Sequence, residues 1–567
     1  MTRPAWSLPR RGAGRSTSER LGTGLLVGAA LLLCVFLILP LGVLLIGSLF
    51  DEAGELSLVR FAEFASTPGM GPAVWNTIWV AVVVTVLTVP LAFLYAYAIQ
   101  RACLPLRGVW RIIGLSALLG PSLVGAISFI QWFGTQGVLR SWLGEHSVYG
   151  PIGIILSTVY ASFPHALMIL VVALATADAR LFEAAEALSA SRWRKFVTVT
   201  LPSARYGLIS AALVVFSYSV SEFGIPKVIG GNFPVLAVEV YVQVVGMHNF
   251  GRGAVVALLL LFPVLLAFLV DWRIQRKQQA SLTARAVPYV PRPDWRRDLP
   301  LLAYCVLVSV AMLGVLGMAA YTSLVRFWPY NLELSLDHYR YGLAEAGVLA
   351  AYLNSLKIAG LTALVGTPFI FLVAYLVEKN RSAPAWLRPL VQGAAALPMG
   401  VPGLVLGIGY ILFFNHPSNP LNGLYHTLAI MVIANVVHYY TSCHLTALTS
   451  LKSIDREFEA VSASLKVSQF VTLWRVTLPV CLPAVLEIAR YLFINAMTTV
   501  SALVFLYSPE TLPASVSILN LDEAGELGPA AAMATLIVLT CALVSLLYSL
   551  LTHFLFRRQQ AWRNPNR

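Results

Sequence analysis

Long runs of apolar residues recur along the whole chain and are separated by short polar segments. Most runs hold about 20 residues or more, which is enough for a helix to cross the roughly 30 Å hydrocarbon core of a bilayer. Backbone polar groups in lipid must be paired within the protein, and a helix pairs them within one segment. The pattern therefore predicts an all-α polytopic membrane protein. Twelve spans are predicted, at 21–49, 74–99, 112–134, 152–177, 204–222, 254–272, 299–323, 352–377, 388–414, 424–449, 480–506 and 529–555.

One polar segment occurs twice, each time between two apolar runs. Residues 178–202 return 277 positions later as residues 455–479, and both copies end in Val-Thr-Leu-Pro. A further match lies at a spacing of 278, where Asn76 pairs with Asn354. Both copies begin and end on the same side of the membrane, so the duplication predicts two parallel repeats of six helices. The predicted boundaries are 1–272 for the first half, 273–298 for a cytoplasmic linker and 299–567 for the second half.

Charged residues are few and unevenly distributed. The chain is 58% hydrophobic and 11% charged, whereas about a quarter of the residues of a soluble protein are charged. Its net charge of +13 is explained by Lys and Arg in the loops of one face, as the positive-inside rule requires. The loop 507–528, on the opposite face, has four acidic residues and no basic one. We therefore expect both termini in the cytoplasm and no nucleic-acid partner.

The sequence lacks the motifs of several enzyme classes. It contains no GxxxxGK[ST] phosphate-binding loop and no HExxH zinc motif. The cysteines have neither CxxC nor zinc spacing, which favours buried thiols over disulfides or a metal site; they are Cys34, Cys103, Cys305, Cys443, Cys481 and Cys541. We therefore expect no catalytic residue, no metal site and no cofactor bound by this chain. If transport consumes ATP, a separate subunit must hydrolyse it.

The two polar segments resemble the cytoplasmic EAA loop of binding-protein-dependent ABC importer permeases. That loop has Glu-Ala-Ala, a glycine three residues later, and a closing hydrophobic residue with Leu-Pro. We name residues 178–202 coupling loop 1 and residues 455–479 coupling loop 2. The matching positions in loop 1 are Glu183, Ala184, Ala185, Ser189 at the glycine position, and Pro202. In loop 2 they are Glu459, Ala460 in place of the glutamate, Lys466 at the glycine position, and Pro479.

The resemblance covers both halves and implies a fused two-half permease in a bacterial inner membrane. It also implies two ATPase subunits, which carry Mg-ATP and dock on the coupling loops, and a substrate-binding protein on the opposite face. Both loops lack the turn glycine, and a residue with a side chain resists positive φ, so the family's turn shape is not carried over to either loop. The apolar residues expected to anchor an ATPase, by docking of a helix into a groove, are Leu181, Leu188, Phe196, Phe458 and Leu465.

Three strings point to a cargo by resemblance. Residues 223–231, 495–502 and 505–507 are most similar to permeases of the 2-aminoethylphosphonate group. Ferric iron is the first alternative, because fused permeases of this type also resemble ferric iron importers, and thiamine or a polyamine follows. Selection of the cargo by the binding protein means that the permease needs only weak polar contacts.

Polar residues on the span after each coupling loop are candidates for the translocation path. Tyr218, Ser221 and Glu222 align with Asn495, Thr498 and Thr499 at a spacing of 277. Positions i, i+3 and i+4 share one helix face, and a polar face in lipid turns inward. The alternative is that these residues make hydrogen bonds between helices and bind no cargo.

Other polar residues in the apolar runs favour structural roles. Glu487 and Arg490 are three positions apart and predict an ion pair near the cytoplasmic interface. His165, His438 and His444 are expected to pack between helices, and a proton relay or metal path is the alternative. They do not have the spacing of a metal-ligand set.

The sequence fits two other functional classes less well. A secondary transporter driven by an ion gradient predicts charged groups near the bilayer midplane, where these spans have almost none, and it does not explain two matched cytoplasmic loops. A membrane enzyme would need paired carboxylates, a nucleophile or a metal set, and none is evident. The sequence therefore favours the permease.

Overall fold

The computed structural model describes residues 17–50, 55–281, 287, 289–342, 347–380, 383–455, 457–465 and 467–560. Over these residues the chain is almost entirely helical. Nine of the described helices are long and apolar enough to cross a membrane, and the number rises to eleven if each of two bent helix pairs is one span. The predicted all-α polytopic fold is confirmed.

The first half is a series of thirteen helices. They are α1 (Thr17–Leu33), α2 (Leu39–Leu49), α3 (Val59–Ser66), α4 (Met70–Arg101), α5 (Arg107–Gly114), α6 (Leu123–Phe133), α7 (Pro151–Ala175), α8 (Ala179–Ala187), α9 (Arg192–Lys195), α10 (Leu201–Ser221), α11 (Gly224–Ile229), α12 (Leu236–Tyr241) and α13 (Phe250–Ser281). A π-helical turn joins α1 to α2, and another joins α9 to α10, so each pair forms one continuous span.

The second half adds eleven helices and one small hairpin. They are α14 (Trp295–Leu324), the antiparallel strands β1 (Val325–Phe327) and β2 (Asn331–Leu334), α15 (Val348–Lys379), α16 (Leu387–Ala396), α17 (Gly403–Phe414), α18 (Leu428–His438), α19 (Tyr440–Lys452), α20 (Glu457–Ser464), α21 (Gln469–Thr472), α22 (Leu478–Thr498), α23 (Ala514–Glu523) and α24 (Leu527–Gln560).

Side-chain hydrogen bonds repeat at the spacing seen in the sequence. Asn76 Nδ2 donates to the carbonyl of Pro234 at 3.0 Å, and Asn354 Nδ2 donates to the carbonyl of Leu512 at 3.3 Å. The helices α4 and α15 that carry these asparagines begin and end at positions 278 residues apart. The duplication therefore extends to specific contacts, although the boundaries of the two halves stay a prediction.

Three of the predicted spans are not single helices. Residues 112–134 form the end of α5, a short 3₁₀ turn and α6, interrupted at Gly120-Pro121. Residues 388–414 bend by 112° between α16 and α17, and residues 424–449 bend by 54° between α18 and α19. Proline has no N–H and disfavours a helical residue before it, which accounts for the breaks at Pro121 and Pro402. The break after His438 has no proline.

The first helix of each half packs against the other half. Helix α2 lies on α17 as well as on α13, and α14 lies on α6 as well as on α24. The Tyr410 hydroxyl donates to the carbonyl of Phe36 at 2.7 Å, and the Tyr304 hydroxyl donates to the carbonyl of Leu91, also at 2.7 Å. The two halves are therefore interlocked, and residues from both share one hydrophobic core.

Candidate functional site

The two coupling loops have the same local structure. Each has a helix (α8 or α20), a turn, a one-turn helix (α9 or α21) and a π-helical turn that continues into a long span (α10 or α22). The short helices are capped alike: Ser191 Oγ accepts from the N–H of Arg194 at 3.2 Å, and Ser468 Oγ accepts from the N–H of Val471 at 3.3 Å. Serine at this position satisfies a free amide of the first turn. Pro202 and Pro479 lie in the first turns of α10 and α22.

Ser189 adopts the conformation that the missing glycine would supply. Its φ is +52°, in the left-handed region that side chains disfavour. The N–H of Ser189 donates to the carbonyl of Glu186 at 2.9 Å, and the N–H of Ala190 donates to the carbonyl of Ala185 at 3.0 Å. These bonds close helix α8 in the manner of a glycine-terminated helix. The turn in loop 1 therefore forms without glycine; Lys466, at the equivalent position of loop 2, lies outside the described residues.

Loop 1 exposes part of the segment that resembles the EAA loop. Glu183 and Ala184 are exposed, whereas Ala185 is buried against the rest of the chain. Leu181 and Leu188 are 52% and 82% exposed. Both side chains are thus exposed on the surface of the chain, and their role as anchors for an ATPase stays a prediction.

Loop 2 exposes a comparable apolar surface. Phe458 and Leu465 are 54% and 70% exposed, and Ala460 is exposed as well. Glu459 lies in helix α20. The fifth predicted anchor, Phe196 of loop 1, differs: its ring packs edge-on against Phe93 and Tyr97, so it holds the loop to α4.

The linker between the halves packs against coupling loop 1 and helps to hold it in position. The sequence did not predict this contact. The guanidinium carbon of Arg101 lies 4.6 Å from the ring centroids of both Phe182 in loop 1 and Tyr289 in the linker. The N–H of Ala179 donates to the carbonyl of Val287 at 2.9 Å. Arg192 forms an ion pair of 2.6 Å with Asp294. Loop 2 is held by a different element, since Gln469 Nε2 donates to the carbonyl of Ser18 in α1 at 2.7 Å.

A cavity of about 340 Å³ lies between the halves and is lined by residues of both. All six residues predicted for the translocation path are on its wall: Tyr218, Ser221, Glu222, Asn495, Thr498 and Thr499. We name it the central cavity. The structure thus brings the aligned ends of α10 and α22 together around one space, while their role in transport stays a prediction.

Three of these six polar residues are hydrogen-bonded within their own helix. Ser221 Oγ donates to the carbonyl of Ser217 at 2.7 Å, and Thr498 Oγ1 donates to the carbonyl of Ile494 at 3.0 Å. Asn495 Nδ2 donates to the carbonyl of Tyr491 at 2.8 Å. These three bonds satisfy donors within one helix, whereas Glu222 accepts from Ser122 and Thr499 bonds to Tyr439 in other segments. The face therefore also makes hydrogen bonds between helices, and its role in transport stays a prediction.

Glu222 is the carboxylate at the end of α10. Its Oε1 accepts from Ser122 Oγ at 2.7 Å and from the N–H of Ile225 at 3.3 Å. The Tyr218 side chain lies beside it, and the ring of His165 lies 5.1 Å from the ring of Tyr218, centroid to centroid. The hydrogen bonds of this carboxylate therefore come from neutral donors, and no Lys or Arg of the described residues forms an ion pair with it.

The charged residues of the central cavity are all acidic. Glu222 and Asp271 are its two carboxylates, and none of its lining residues, all of which lie in the described part of the chain, is Lys or Arg. Sequence reasoning missed Asp271, although an aspartate inside the apolar run 254–272 was a signal, because ionisable residues in a membrane span are seldom tolerated without a function.

The remaining predicted polar residues separate into two groups. His165 and His438 line the central cavity, whereas His444 does not. Glu487 and Arg490 form the predicted ion pair, and neither lines the cavity. Among the described residues, no group of three or more His, Cys, Asp or Glu side chains could hold a metal ion. A cargo in the cavity would therefore meet isolated polar groups.

Comparison with known proteins gives a consistent family. A family model described as "Binding-protein-dependent transport system inner membrane component" matches residues 90–279 and 366–557. The ferric transport system permease protein FbpB of Actinobacillus pleuropneumoniae is 26% identical over 544 residues, which cover 93% of this chain and 77% of that protein. The sulfate transport system permease protein CysW of Escherichia coli (strain K12) is 23% identical over 271 residues, which cover 46% of this chain and 91% of that protein.

Solved structures of ABC transporters are similar to about half of the chain, and one of them illustrates the match. It is a bacterial alginate ABC transporter in complex with an alginate pentasaccharide-bound periplasmic protein. The match has a TM-score of 0.37 and 20% sequence identity, and it covers 47% of this chain and 96% of the matched chain. The family model matches the chain twice, once in each copy of the repeat.

Proposed function

Because the chain belongs to the family of binding-protein-dependent transport system inner membrane components, and is thus a permease of the ABC importer type, we propose that it forms both halves of one ATP-driven import path. The observation that carries the proposal is the position of the central cavity. Its walls include the ends of α10 and α22, and each of these spans begins directly after a coupling loop. A force applied to a loop therefore reaches the cavity through one helix.

The distance over which the force acts is large. The continuous helix from Arg192 to Ser221 has 30 residues, so it is about 45 Å long at a rise of 1.5 Å per residue. A rigid helix of this length converts a small rotation at the loop into a displacement at the cavity wall. We propose that closure of an ATPase pair moves both loops and so switches the cavity between the two sides of the membrane.

Two ATPase subunits are the proposed partners on the loop side. Leu181 and Leu188 in loop 1, and Phe458 and Leu465 in loop 2, present exposed apolar side chains on short helices. A helix that displays apolar residues fits a hydrophobic groove on a partner. The proposed partner on the other side is a substrate-binding protein, which the family description implies.

The cargo is proposed to be a cation, with ferric iron as the specific candidate. A relative that matches 93% of this chain is named a ferric transport permease, and the central cavity contains carboxylates but no Lys or Arg. The ammonium group of 2-aminoethylphosphonate could pair with a carboxylate, but its phosphonate group would meet no Lys or Arg among the lining residues and would be repelled by Glu222 and Asp271. The 2-aminoethylphosphonate predicted from the sequence is thus the less favoured cargo, whereas thiamine and polyamines have the appropriate charge.

Reconstitution tests both parts of the proposal. The chain is purified with the ATPase and binding protein encoded beside it and inserted into vesicles, and uptake of ferric ion and of 2-aminoethylphosphonate is measured with and without ATP. ATP-dependent ferric uptake supports the proposal. Uptake of 2-aminoethylphosphonate alone overturns the cargo, and uptake driven by an ion gradient without ATP favours a secondary transporter.

Substitutions in the coupling loops test whether the ATPase subunits dock there. Replacing Leu188 and Leu465 by Ser is expected to remove the ATPase from the purified complex, because both side chains would lose their groove contacts. Val290, which is 79% exposed in the linker, offers a matched control, and Val290→Ser should retain the ATPase. Equal ATPase recovery from all variants would contradict docking at the loops.

A further inference from the structure

The two carboxylates of the central cavity lie at different depths along α10. Glu222 follows the last residue of that helix, whereas Asp271 on α13 lies beside Ser210, near the middle of α10. Twelve residues separate positions 210 and 222, which corresponds to about 18 Å along a helix. Since α10 begins at coupling loop 1, Asp271 is the carboxylate nearer the loops.

We propose that Glu222 and Asp271 are two successive binding positions for a cationic cargo, Glu222 on the side of the binding protein and Asp271 on the side of the ATPases. The inference rests on the proposed function, since it assigns the residues that a cation would contact in the same cavity. It goes further in naming where the cation pauses and in which order.

Asp271 has an unsatisfied oxygen at the cavity wall. The residue is only 3% exposed. Gln275 Nε2 donates to its Oδ2 at 2.7 Å and Ser210 lies beside the carboxyl group, whereas the buried Oδ1 has no hydrogen-bond partner at normal distance among the described residues. No Lys or Arg lines the cavity to neutralise it. A buried carboxylate without a counter-ion is unfavourable, and a passing cation would supply the missing charge.

Glu222 has a different environment, suited to capture. Its Oε1 is oriented by Ser122 Oγ and by the N–H of Ile225. Hydroxyls of Tyr218 and Ser221 are on the same cavity wall, and oxygen donors of this kind are preferred by hard cations. The fixed carboxylate can therefore exchange part of a cation's hydration shell for protein oxygens.

Each position offers a cation only a few ligands, which is suitable for transport. A transport site must hold its ion weakly enough to release it, and several weak sites in series achieve this. No cluster of three or more metal-ligating side chains exists among the described residues. Both carboxylates belong to the first half. At the equivalent positions of the second half, Thr499 aligns with Glu222 and Tyr548 lies 277 positions after Asp271, so both carboxylates have uncharged counterparts. The second half thus provides the neutral side of the path.

Neutralisation of each carboxylate tests the inference in the reconstituted complex. The variants Glu222→Gln and Asp271→Asn are assembled with the ATPase and the binding protein, and uptake of radiolabelled ferric ion is measured together with ATP hydrolysis stimulated by the loaded binding protein. Ferric uptake is expected to fall by roughly tenfold or more in each variant, because one ion–carboxylate contact is lost. Stimulated ATP hydrolysis is expected to persist, which shows that the complex is assembled.

Charge-conserving variants and a distant control make the outcome specific. Glu222→Asp and Asp271→Glu are expected to recover part of the uptake, and Glu487→Gln, which removes a carboxylate outside the cavity, is expected to leave it unchanged. Wild-type ferric uptake by both neutral variants overturns the inference and leaves the proposed function intact. If the wild-type complex itself imports no ferric ion, the proposed cargo fails, and the inference fails with it.

Discussion

Lys227 of α11 and Glu523 of α23 form an ion pair between the two halves, with 2.7 Å between Nζ and Oε1. The ammonium group of Lys227 also lies 5.1 Å from the centroid of the Tyr241 ring. At the repeat spacing of 277 or 278, the positions equivalent to the two charged residues are uncharged, namely Val504 or Phe505 for Lys227, and Gly246 or Val245 for Glu523. The pair is therefore a single contact that the duplication does not repeat.

Reversing the charges of Lys227 and Glu523 should show how much their ion pair contributes to the stability of the protein. Lys227→Glu places two carboxylates together, and we expect the complex to lose about 1 kcal/mol of stability, in the range of partly exposed ion pairs. The double variant Lys227→Glu/Glu523→Lys restores opposite charges and should recover most of the loss. Apparent melting temperatures of the purified protein measure both effects. A double variant no more stable than Lys227→Glu would show that the two charges do not interact.

The pH dependence of stability should depend on the neighbouring Asp522. Burial, reinforced by the charge of Glu523 and opposed by Lys227, raises the pKa of Asp522 from 3.8 to about 6. Between these values the folded state binds more protons than the unfolded state, so stability falls as the pH rises through this window. Asp522→Asn should lose this dependence and be the more stable protein at neutral pH.

Thermal unfolding measured from about pH 4 to pH 7 separates the variants, because the window is set by the difference in pKa between the two states. Glu510→Gln, which changes an exposed carboxylate in the same loop, provides the control and should keep the wild-type profile. An unchanged pH profile in Asp522→Asn would assign the dependence to another group.

Ser189→Gly should stabilise coupling loop 1. Ser189 has a φ of +52°, and a residue with a side chain is less stable than glycine there by about 1 kcal/mol. Glycine also gains freedom in the unfolded chain, so the net gain is expected to be a few tenths of a kcal/mol to 1 kcal/mol. The matched control is Ala187→Gly inside α8, which should destabilise by a similar amount. Destabilisation by both variants would mean that the serine hydroxyl matters more than the backbone.

The stacked Arg101 should be sensitive even to lysine. Arg101 is 4% exposed and lies against the rings of both Phe182 and Tyr289, whose centroids are themselves 4.7 Å apart, and its Nη2 donates to the carbonyl of Leu174 at 2.9 Å. Arg101→Lys keeps the charge but loses the planar group that contacts both rings. We expect a loss of about 1–2 kcal/mol and weaker association of the ATPase with loop 1.

Variants of the linker test the same contact from the other side. Tyr289→Phe preserves the ring and should behave like wild type, whereas Tyr289→Ala should resemble Arg101→Lys. Stability and ATPase recovery are measured on the same preparations. If Tyr289→Ala retained full ATPase coupling, the linker would have no part in positioning the loop.

The sequence predicted features that lie within one segment, and it predicted the matching of segments between the two repeats. Hydrophobic runs predicted the helical membrane fold, and the repeat spacing of 277 or 278 residues located two matched loops. The faces formed by Tyr218, Ser221 and Glu222 and by their counterparts were predicted from helical spacing alone. These inferences succeeded in placing residues because helix geometry and membrane thickness act within one segment.

Contacts between distant segments were not readable in this way. The bend of 112° between α16 and α17, the packing of Phe196 on α4 and the brace formed by Tyr289 depend on which surfaces meet. Asp271 was visible as an aspartate in an apolar run, but its position on the cavity wall follows from the packing of α13 against α10.

By itself, then, the sequence determined the class of the protein, its internal duplication and the two loops that resemble those of ABC importer permeases. Only the tertiary structure decided that the first helix of each half crosses to the other half, that six aligned polar residues surround one cavity, and that the cavity is acidic. The physical reason is that hydropathy and helical period act along the chain, whereas the charge of a cavity is a sum over side chains that only packing brings together.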